Sequence, residues 1–267
     1  MSAFAIHLAY ELAGGIRDKS RFFMSYLFPF GFFVLVGGLM SKLDPTFTGR
    51  MTPAMAIFTA MSAFLLSLPP GFVDARESGL LRSFRINGVP TAASLGIPAL
   101  SAAAHLAVAT AIISIVASLA FKAPTPALPA LWIVIWAAMA MAHAGLGSLI
   151  GVLSPSGRAA TLAAQCIYLP SILLGGLMMS ATALPQPLDK LALLFPASHA
   201  MRAFMAASSG AWSFKETLSL SALMLGALAS FAIAGVLYEC DNTNARPPKR
   251  KLLALLALAP YAVGLFF

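Results

Sequence analysis

The sequence predicts an all-α integral membrane protein. Apolar residues make up 60% of the 267-residue chain and charged residues only 10%, whereas a typical soluble domain contains about 25% charged residues. Several apolar runs follow one another along the chain, each near the roughly 20 residues that a helix needs to cross a bilayer. They leave no stretch long enough for a soluble domain, which excludes soluble enzymes and nucleic-acid-binding modules.

Six apolar runs are the predicted membrane spans. They are apolar all round, so hydrophobic periodicity marks no preferred face on them. Together they predict a six-helix transmembrane domain over residues 22–240, with spans at about 22–41, 53–73, 97–121, 131–153, 160–182 and 217–238.

Residues 1–21 precede the first span and are of mixed composition. Phe4, Leu8 and Leu12 follow an approximate helical spacing, and basic residues from Arg17 onward close the segment. Amphipathic segments of this kind lie in the membrane interface. We therefore predict an interfacial helix on the cytoplasmic face, with a solvated leader as the alternative.

Lysine and arginine are distributed unequally between alternate loops. If the N-terminus is cytoplasmic, the inside segments hold 11 of the 17 Lys and Arg residues and the outside loops hold 6. Because cytoplasmic loops carry an excess of basic residues, this distribution predicts a cytoplasmic N-terminus for a multi-pass protein of the plasma membrane. Six crossings would return residues 241–251, a basic tail, to the cytoplasm.

Residues 252–267 are a further apolar segment, shorter than the six predicted spans. Pro260 interrupts it, and at 1.5 Å per residue it would reach only about 24 Å as a helix. The segment could form a seventh tilted span, a re-entrant segment or an interfacial segment, and the sequence does not decide among these. The side of the membrane on which the chain ends therefore stays open.

The sequence lacks the residues of several common sites. A phosphate-binding loop requires a Gly-Lys pair before Ser or Thr, and the chain contains no Gly-Lys pair. The four histidines do not have metal-ligand spacing, so we expect no metal site.

For His105 and His143, which lie in apolar runs, we expect a neutral ring bonded to a carbonyl group of a neighbouring helix. All nine carboxylates lie in loops or at span ends, where they do not supply the intramembrane acid of proton-coupled transport.

An intramembrane serine protease is a further class that the chain superficially fits. Gly147-Ser148 offers a serine after glycine, but the last span has no histidine to accept the serine proton. Gly147 and Gly151 instead have the small-xxx-small spacing that lets two helices pack closely. We predict helix packing here and no catalytic residue.

The loop after the second span carries the most informative pattern. Pro69-Pro70-Gly71 weakens the membrane helix near its inner end, and Asp74 with Glu77 has the capping-box spacing that predicts a helix start. An apolar stripe with flanking arginines follows, and Asn87-Gly88 ends it. The pattern predicts a short amphipathic cytoplasmic helix. It leaves open whether this helix rests on lipid headgroups or docks into a groove of a soluble protein.

The same loop resembles the loop between the second and third spans of ABC-2 type exporter permeases. The matching residues are Asp74-Ala75-Arg76-Glu77-Ser78-Gly79-Leu80, followed by Asn87-Gly88-Val89-Pro90. In that family the glutamate-containing helix is the coupling helix, which docks on an ATPase subunit. Residues 168–204 resemble the family's proline-broken fifth helix and the short re-entrant outer helices that follow it.

The resemblance implies a permease subunit that forms half of a translocation pathway. A second permease subunit, in a homodimer, would complete the pathway, and a separate ATPase chain would bind ATP and magnesium, so that this chain binds no cofactor itself. The contacts implied for the coupling helix are Asp74, Arg76, Glu77, Leu80, Leu81, Arg82, Phe84 and Arg85.

The predicted fifth span supplies the candidates for the substrate pathway. Gln165 and Tyr168 are polar side chains in an apolar run, Pro170 frees backbone groups, and Gly175-Gly176 permits bending; helix packing is the alternative for each. Spans without charges favour a hydrophobic or amphipathic substrate such as a drug, a lipid or a lipid-linked glycan. The alternative function is a self-sufficient membrane protein, either a gradient-driven carrier or an intramembrane enzyme.

Overall fold

The structure, a computed structural model, describes residues 3–178, 184–240 and 252–266. These residues form helices joined by short loops, and no β-strand occurs among them. The predicted basic tail, residues 241–251, lies outside the described residues.

The helices keep the order that the sequence predicts. They are α1 (Ala3–Arg17), α2 (Lys19–Leu43), α3 (Phe47–Glu77), α4 (Leu80–Ile86), α5 (Thr91–Phe121), α6 (Pro129–Leu153), α7 (Gly157–Leu174), α8 (Leu188–Ala192), α9 (Pro196–Ser209), α10 (Phe214–Val236) and α11 (Leu252–Ala262), of which α11 begins as a 3₁₀-helix. A π-helical turn interrupts α2 at Phe23–Leu27 and α3 at Ser62–Ser67. We name the two ends of the bundle after the short helices they carry, the α4 end and the α9 end.

Five helices of the described ranges are long and apolar enough to cross a membrane, namely α2, α3, α5, α6 and α10. This confirms the predicted all-α membrane fold, but not the count of six spans. The fifth span was predicted to continue to about residue 182, but α7 ends at Leu174, and residues 179–183 lie outside the described residues. Gly175 caps α7, and Gly176 follows with a φ of +82°, the left-handed conformation that commonly ends a helix.

The core of the bundle is the pair α3 and α6. Within their most apolar stretches, 78% of α3 and 67% of α6 is buried, against 28% of α2. A Cβ atom added to Gly147 of α6 would overlap the carbonyl oxygen of Phe64, and one added to Gly151 would lie 2.8 Å from Cβ of Phe72. The glycine pair therefore packs two helices closely, as predicted.

Two histidines in the spans make hydrogen bonds to backbone carbonyls. His105 of α5 bonds through Nε2 to the Leu12 carbonyl of α1, at 3.2 Å, and through Nδ1 to the Tyr26 hydroxyl, at 2.7 Å. This confirms the expectation for His105 and joins α1 to the bundle. For His143 the neighbouring-helix expectation is wrong, because its Nδ1 bonds to the Met139 carbonyl one turn earlier in the same helix.

The C-terminal segment packs along α10. Tyr261 is fully buried, and its ring fills the space where Gly226 of α10 has no side chain. His199 of α9 bonds through Nε2 to the carbonyls of Leu193, at 2.8 Å, and Tyr261, at 3.1 Å. The segment is thus attached to both α9 and α10.

We predict that Gly147→Ala lowers the stability of the purified chain by about 1–3 kcal/mol, because the added Cβ would overpack the α3–α6 contact. Gly38→Ala on α2 is the matched control, since a Cβ there meets nothing within 4 Å and alanine is otherwise the better helix former. Thermal unfolding in detergent measures both. Equal unfolding temperatures for the two variants would contradict the close packing.

Candidate functional site

The turn between α3 and α4 differs from its prediction. We expected a helix to start at Asp74, but α3 continues through Asp74 to Glu77, and α4 begins only at Leu80. The π-helical turn directly before Leu68 adds a residue to the helix, which makes room for Pro69 and Pro70 without a break. The turn itself depends on Gly79, whose φ of +77° is a conformation that glycine adopts readily.

Side chains at the end of α3 and on the outer side of α4 point away from the rest of the chain. Leu80 is 41% exposed and Ile86 is 76% exposed, and four exposed charged side chains lie on the same two helical segments. We call the exposed set the α4 surface; its members are Asp74, Glu77, Leu80, Arg82, Arg85 and Ile86.

Ile86 was not among the predicted contact residues. Its position held the signal, because a step of about 100° per residue places Ile86 within about 40° of Arg82 and away from the stripe formed by Leu81 and Phe84. Leu80, Leu81 and Phe84 were predicted to dock into a groove of the partner, but the structure turns two of them toward the chain. Leu81 is 4% exposed, and the half-buried Phe84 contacts the ring of His7, with the centroids 4.8 Å apart. Both hold α4 against the chain.

Arg76 was also predicted to contact a partner, and the structure assigns it another place. The side chain is buried, and its guanidinium donates from Nη1 to the Val152 carbonyl, at 3.2 Å, and from Nη2 to the Ser154 carbonyl. These carbonyls belong to the end of α6, where the last helical C=O groups have no partner in the helix and a positive charge is favourable. Arg76 therefore fastens α3 to α6 and is not part of the α4 surface.

The candidate pathway residues of α7 do not form one site. Tyr168 is buried, with its ring centroid 6.1 Å from that of Phe58, and Gln165 and Pro170 are half-buried. Gly175 and Gly176 instead border a cavity at the α9 end. The structure separates the glycine pair from the polar side chains with which the sequence analysis grouped it.

The cavity at the α9 end has a volume of about 1,660 Å³, counting its open mouth, and lies between α3, α7, α8, α9 and α10. Charged side chains line it, among them Arg50, Arg202 and Glu216. Arg50 forms an ion pair with Asp44, at 2.7 Å. A hydrogen bond from the Thr46 side chain, with a further contribution from Arg50, lowers the pKa of the Asp44 carboxyl. The charge-free lining that we expected for the pathway does not extend to this cavity.

The described residues contain no group of three or more His, Cys, Asp or Glu side chains that could hold a metal ion. The exposed α4 surface lies beside the closely packed pair of helices α3 and α6.

Residues 3–208, which extend from α1 into α9, match the family model of the ABC-2 type transporter. The match covers most of the chain and the loop that contains the α4 surface. The chain belongs to the ABC-2 type transporter family. No curated protein gives a significant match to it.

Membership of the family makes the chain a membrane-spanning permease component of an ABC transporter. It confirms the resemblance that the α3–α4 loop carries. Permeases of this family generally pair with an ATPase subunit, in keeping with the lack of a phosphate-binding loop in this sequence.

We predict that Arg76→Met destabilises the permease by about 1–3 kcal/mol, because buried carbonyls at the end of α6 would lose their donors. Arg76→Lys keeps the charge and one donor group, so it should recover part of the loss. Arg82→Met, on the exposed side of α4, is the matched control and should have no measurable effect. Thermal unfolding of the three variants measures the difference. An Arg76→Met variant as stable as the control would show that the Arg76 contacts do not fasten the helices.

Proposed function

We propose that this permease forms the translocation pathway of an ATP-driven exporter and that its α4 surface docks on a separate ATPase subunit. The exposure of Leu80 and Ile86 among four charged side chains carries the proposal. A short amphipathic helix presented to a groove is a common mode of protein recognition. In this assembly ATP and magnesium would be bound by the ATPase.

The charges of the α4 surface favour a protein partner over lipid headgroups. Arg82 and Arg85 would attract anionic headgroups, but Asp74 and Glu77 on the same surface would be repelled by them. The two acidic and two basic side chains sum to no net charge. A protein groove can complement both signs, and complementary charges also fix the orientation of a complex.

The packing of the bundle supports transmission of movement from the α4 surface to the opposite end. The α4 helix follows directly on α3, and α3 is joined to α6 by Arg76 and the glycine contacts. In turn α6 packs along α10, where Gly145 lies close to Ser230, and both helices contact α9. Rigid-body movement of packed helices is an established way to couple distant sites.

The remaining parts of the proposal concern topology and assembly. The α4 end would face the cytoplasm of a cell whose plasma membrane holds residues 22–240, with α1 in the cytoplasmic interface and the α9 end outside. Two copies of the chain would form the pathway as a homodimer. The substrate would be a hydrophobic or amphipathic molecule that passes α7, where Gln165, Tyr168 and Pro170 lie, and leaves beside Gly175 and Gly176.

The test is co-purification with the ATPase encoded in the neighbouring reading frame, which we expect to contain a phosphate-binding loop. Ile86→Asp replaces the more exposed apolar side chain of the α4 surface with a charge, and Glu77→Lys reverses one of the charges of that surface. Each should reduce the ATPase retained by the tagged permease by tenfold or more, since apolar anchors at interface centres contribute about 2 kcal/mol or more. ATP-dependent transport in reconstituted vesicles should fall in parallel.

Lys19→Glu is the control for this experiment. Lys19 is exposed at the start of α2, at the same end of the bundle and outside the α4 surface, so its reversal should leave ATPase retention unchanged. Full retention by Ile86→Asp and Glu77→Lys would exclude the α4 surface as the docking site. Transport by the permease in vesicles that contain no other protein would instead support a self-sufficient carrier.

A further inference from the structure

A second cavity lies at the α4 end, apart from α7, and borders the α4 surface at Leu80. It is enclosed by α1, α2, α3, α4 and α5 and has a volume of about 720 Å³, counting its mouth. Its lining differs in kind from that of the cavity at the α9 end.

Serine hydroxyls from three spans line this cavity. Ser25 of α2 is 7% exposed and Ser101 of α5 is 4% exposed, and Ser67 of α3 lies with them. None of the three hydroxyls makes a hydrogen bond to another described residue. By contrast, Ser62 and Ser154 satisfy their hydroxyls on the carbonyl four residues earlier, at 3.0 and 2.7 Å. The three hydroxyls are not among the fully enclosed polar atoms that have no partner. They therefore open onto the cavity, where they are available to a polar group of a ligand.

The charges around the cavity cancel. The charged side chains in its lining are Glu11 and Arg21, which form an ion pair at 3.0 Å. His105 also borders the cavity, but Leu12 and Tyr26 occupy its two ring nitrogens. A charged ligand would therefore find no unpaired opposite charge among these side chains. A neutral polar group needs only hydrogen-bond partners, which the serines supply.

The rest of the wall is apolar. Leu68 and Phe72 contribute from α3, and Leu81 and Phe84 contribute from α4. Leu68, Phe72 and Leu81 are buried within the chain, so an apolar chain lying against them would be shielded from water. A ligand with one hydrogen-bonding head and one apolar chain matches both parts of the lining.

We propose that this cavity is a binding site for a neutral, single-chain membrane amphiphile. The hydroxyl or amide head bonds to Ser25, Ser67 and Ser101, and the chain lies against the apolar wall. The site is distinct from the proposed substrate pathway and does not rest on ATPase docking. Because Leu81 and Phe84 belong to α4, a bound amphiphile contacts the helix that carries the α4 surface.

The test uses the full-length permease in phospholipid nanodiscs and a monoacylglycerol with a photoreactive diazirine in its chain. After illumination, mass spectrometry of peptides identifies the labelled residues. We expect saturable labelling of the stretches around Leu68–Phe72 and Leu81–Phe84. A fatty acid of the same chain length, which carries a charged head at neutral pH, should label them at least fivefold less.

Two sets of variants connect the labelling to the serines. Ser67→Leu combined with Ser101→Leu fills the cavity and should reduce the saturable labelling at least fivefold. Ser67→Ala combined with Ser101→Ala removes hydroxyls without adding bulk, so it tests the site even if the leucine pair does not fold. Because the loss of one hydrogen bond corresponds to about a fivefold change in affinity, the saturable labelling should fall by about that factor. Ser114→Leu, on α5 outside the cavity lining, is the control and should label as the wild type does.

Three results would overturn the proposal. These are labelling spread evenly over the lipid-exposed faces, labelling that the serine variants do not change, and equal labelling by the fatty acid. All are measured on the permease alone. They therefore separate failure of this site from failure of ATPase docking, which is measured by co-purification.

Discussion

The close packing of α3 against α6 is the contact on which the rest of the bundle depends. Inside a membrane the hydrophobic effect does not drive helices together, so close van der Waals contact and hydrogen bonds must hold them. Gly147 and Gly151 let the backbone of α6 approach Phe64 and Phe72, and Arg76 adds hydrogen bonds where the two helices leave the apolar core. The surrounding helices α2, α5 and α10 are much less buried, over 28%, 33% and 39% of their most apolar stretches.

This contact explains why the short α4 helix has a defined position. The end of α3 is fixed by Arg76, and Gly79 turns the chain directly into α4. The inner side of α4 is held by Leu81 in the core and by Phe84 against His7. Its outer side is therefore presented on a rigid support, which limits the conformational entropy that a docking partner would have to remove. The arginines of this region therefore have two roles. Arg76 is buried and fixes the end of α3, whereas Arg82 and Arg85 are exposed on α4 and available to a partner.

The sequence predicted the class of the fold and most helix positions because the bilayer itself demands about 20 apolar residues per crossing. The predictions from sequence were wrong where a local pattern was overridden by neighbouring backbone geometry or by a contact with residues far away in the chain. Asp74 and Glu77 have the spacing of a helix start, but a π-helical turn before Pro69 allows the preceding helix to continue through them. Arg76 is charged and lies in a polar segment, which is typical of an exposed residue. In the structure it is buried, and the carbonyls that it bonds belong to residues 152 and 154. No spacing along the chain encodes that contact.

The early end of α7 follows from the same physics. Its 18 residues reach about 27 Å, somewhat less than the roughly 30 Å hydrocarbon core, and α7 is not among the five helices that are long and apolar enough to cross a membrane. An α7 embedded in the bilayer would therefore leave its last carbonyls at membrane depth. Such broken ends are tolerated at membrane depth only where protein or a water-filled cavity surrounds them. Gly175 and Gly176 border the cavity at the α9 end, and Gly175 packs near Ala197 of α9. The short helices α8 and α9 thus provide the surroundings that allow α7 to stop there, which connects that cavity to the early end of α7.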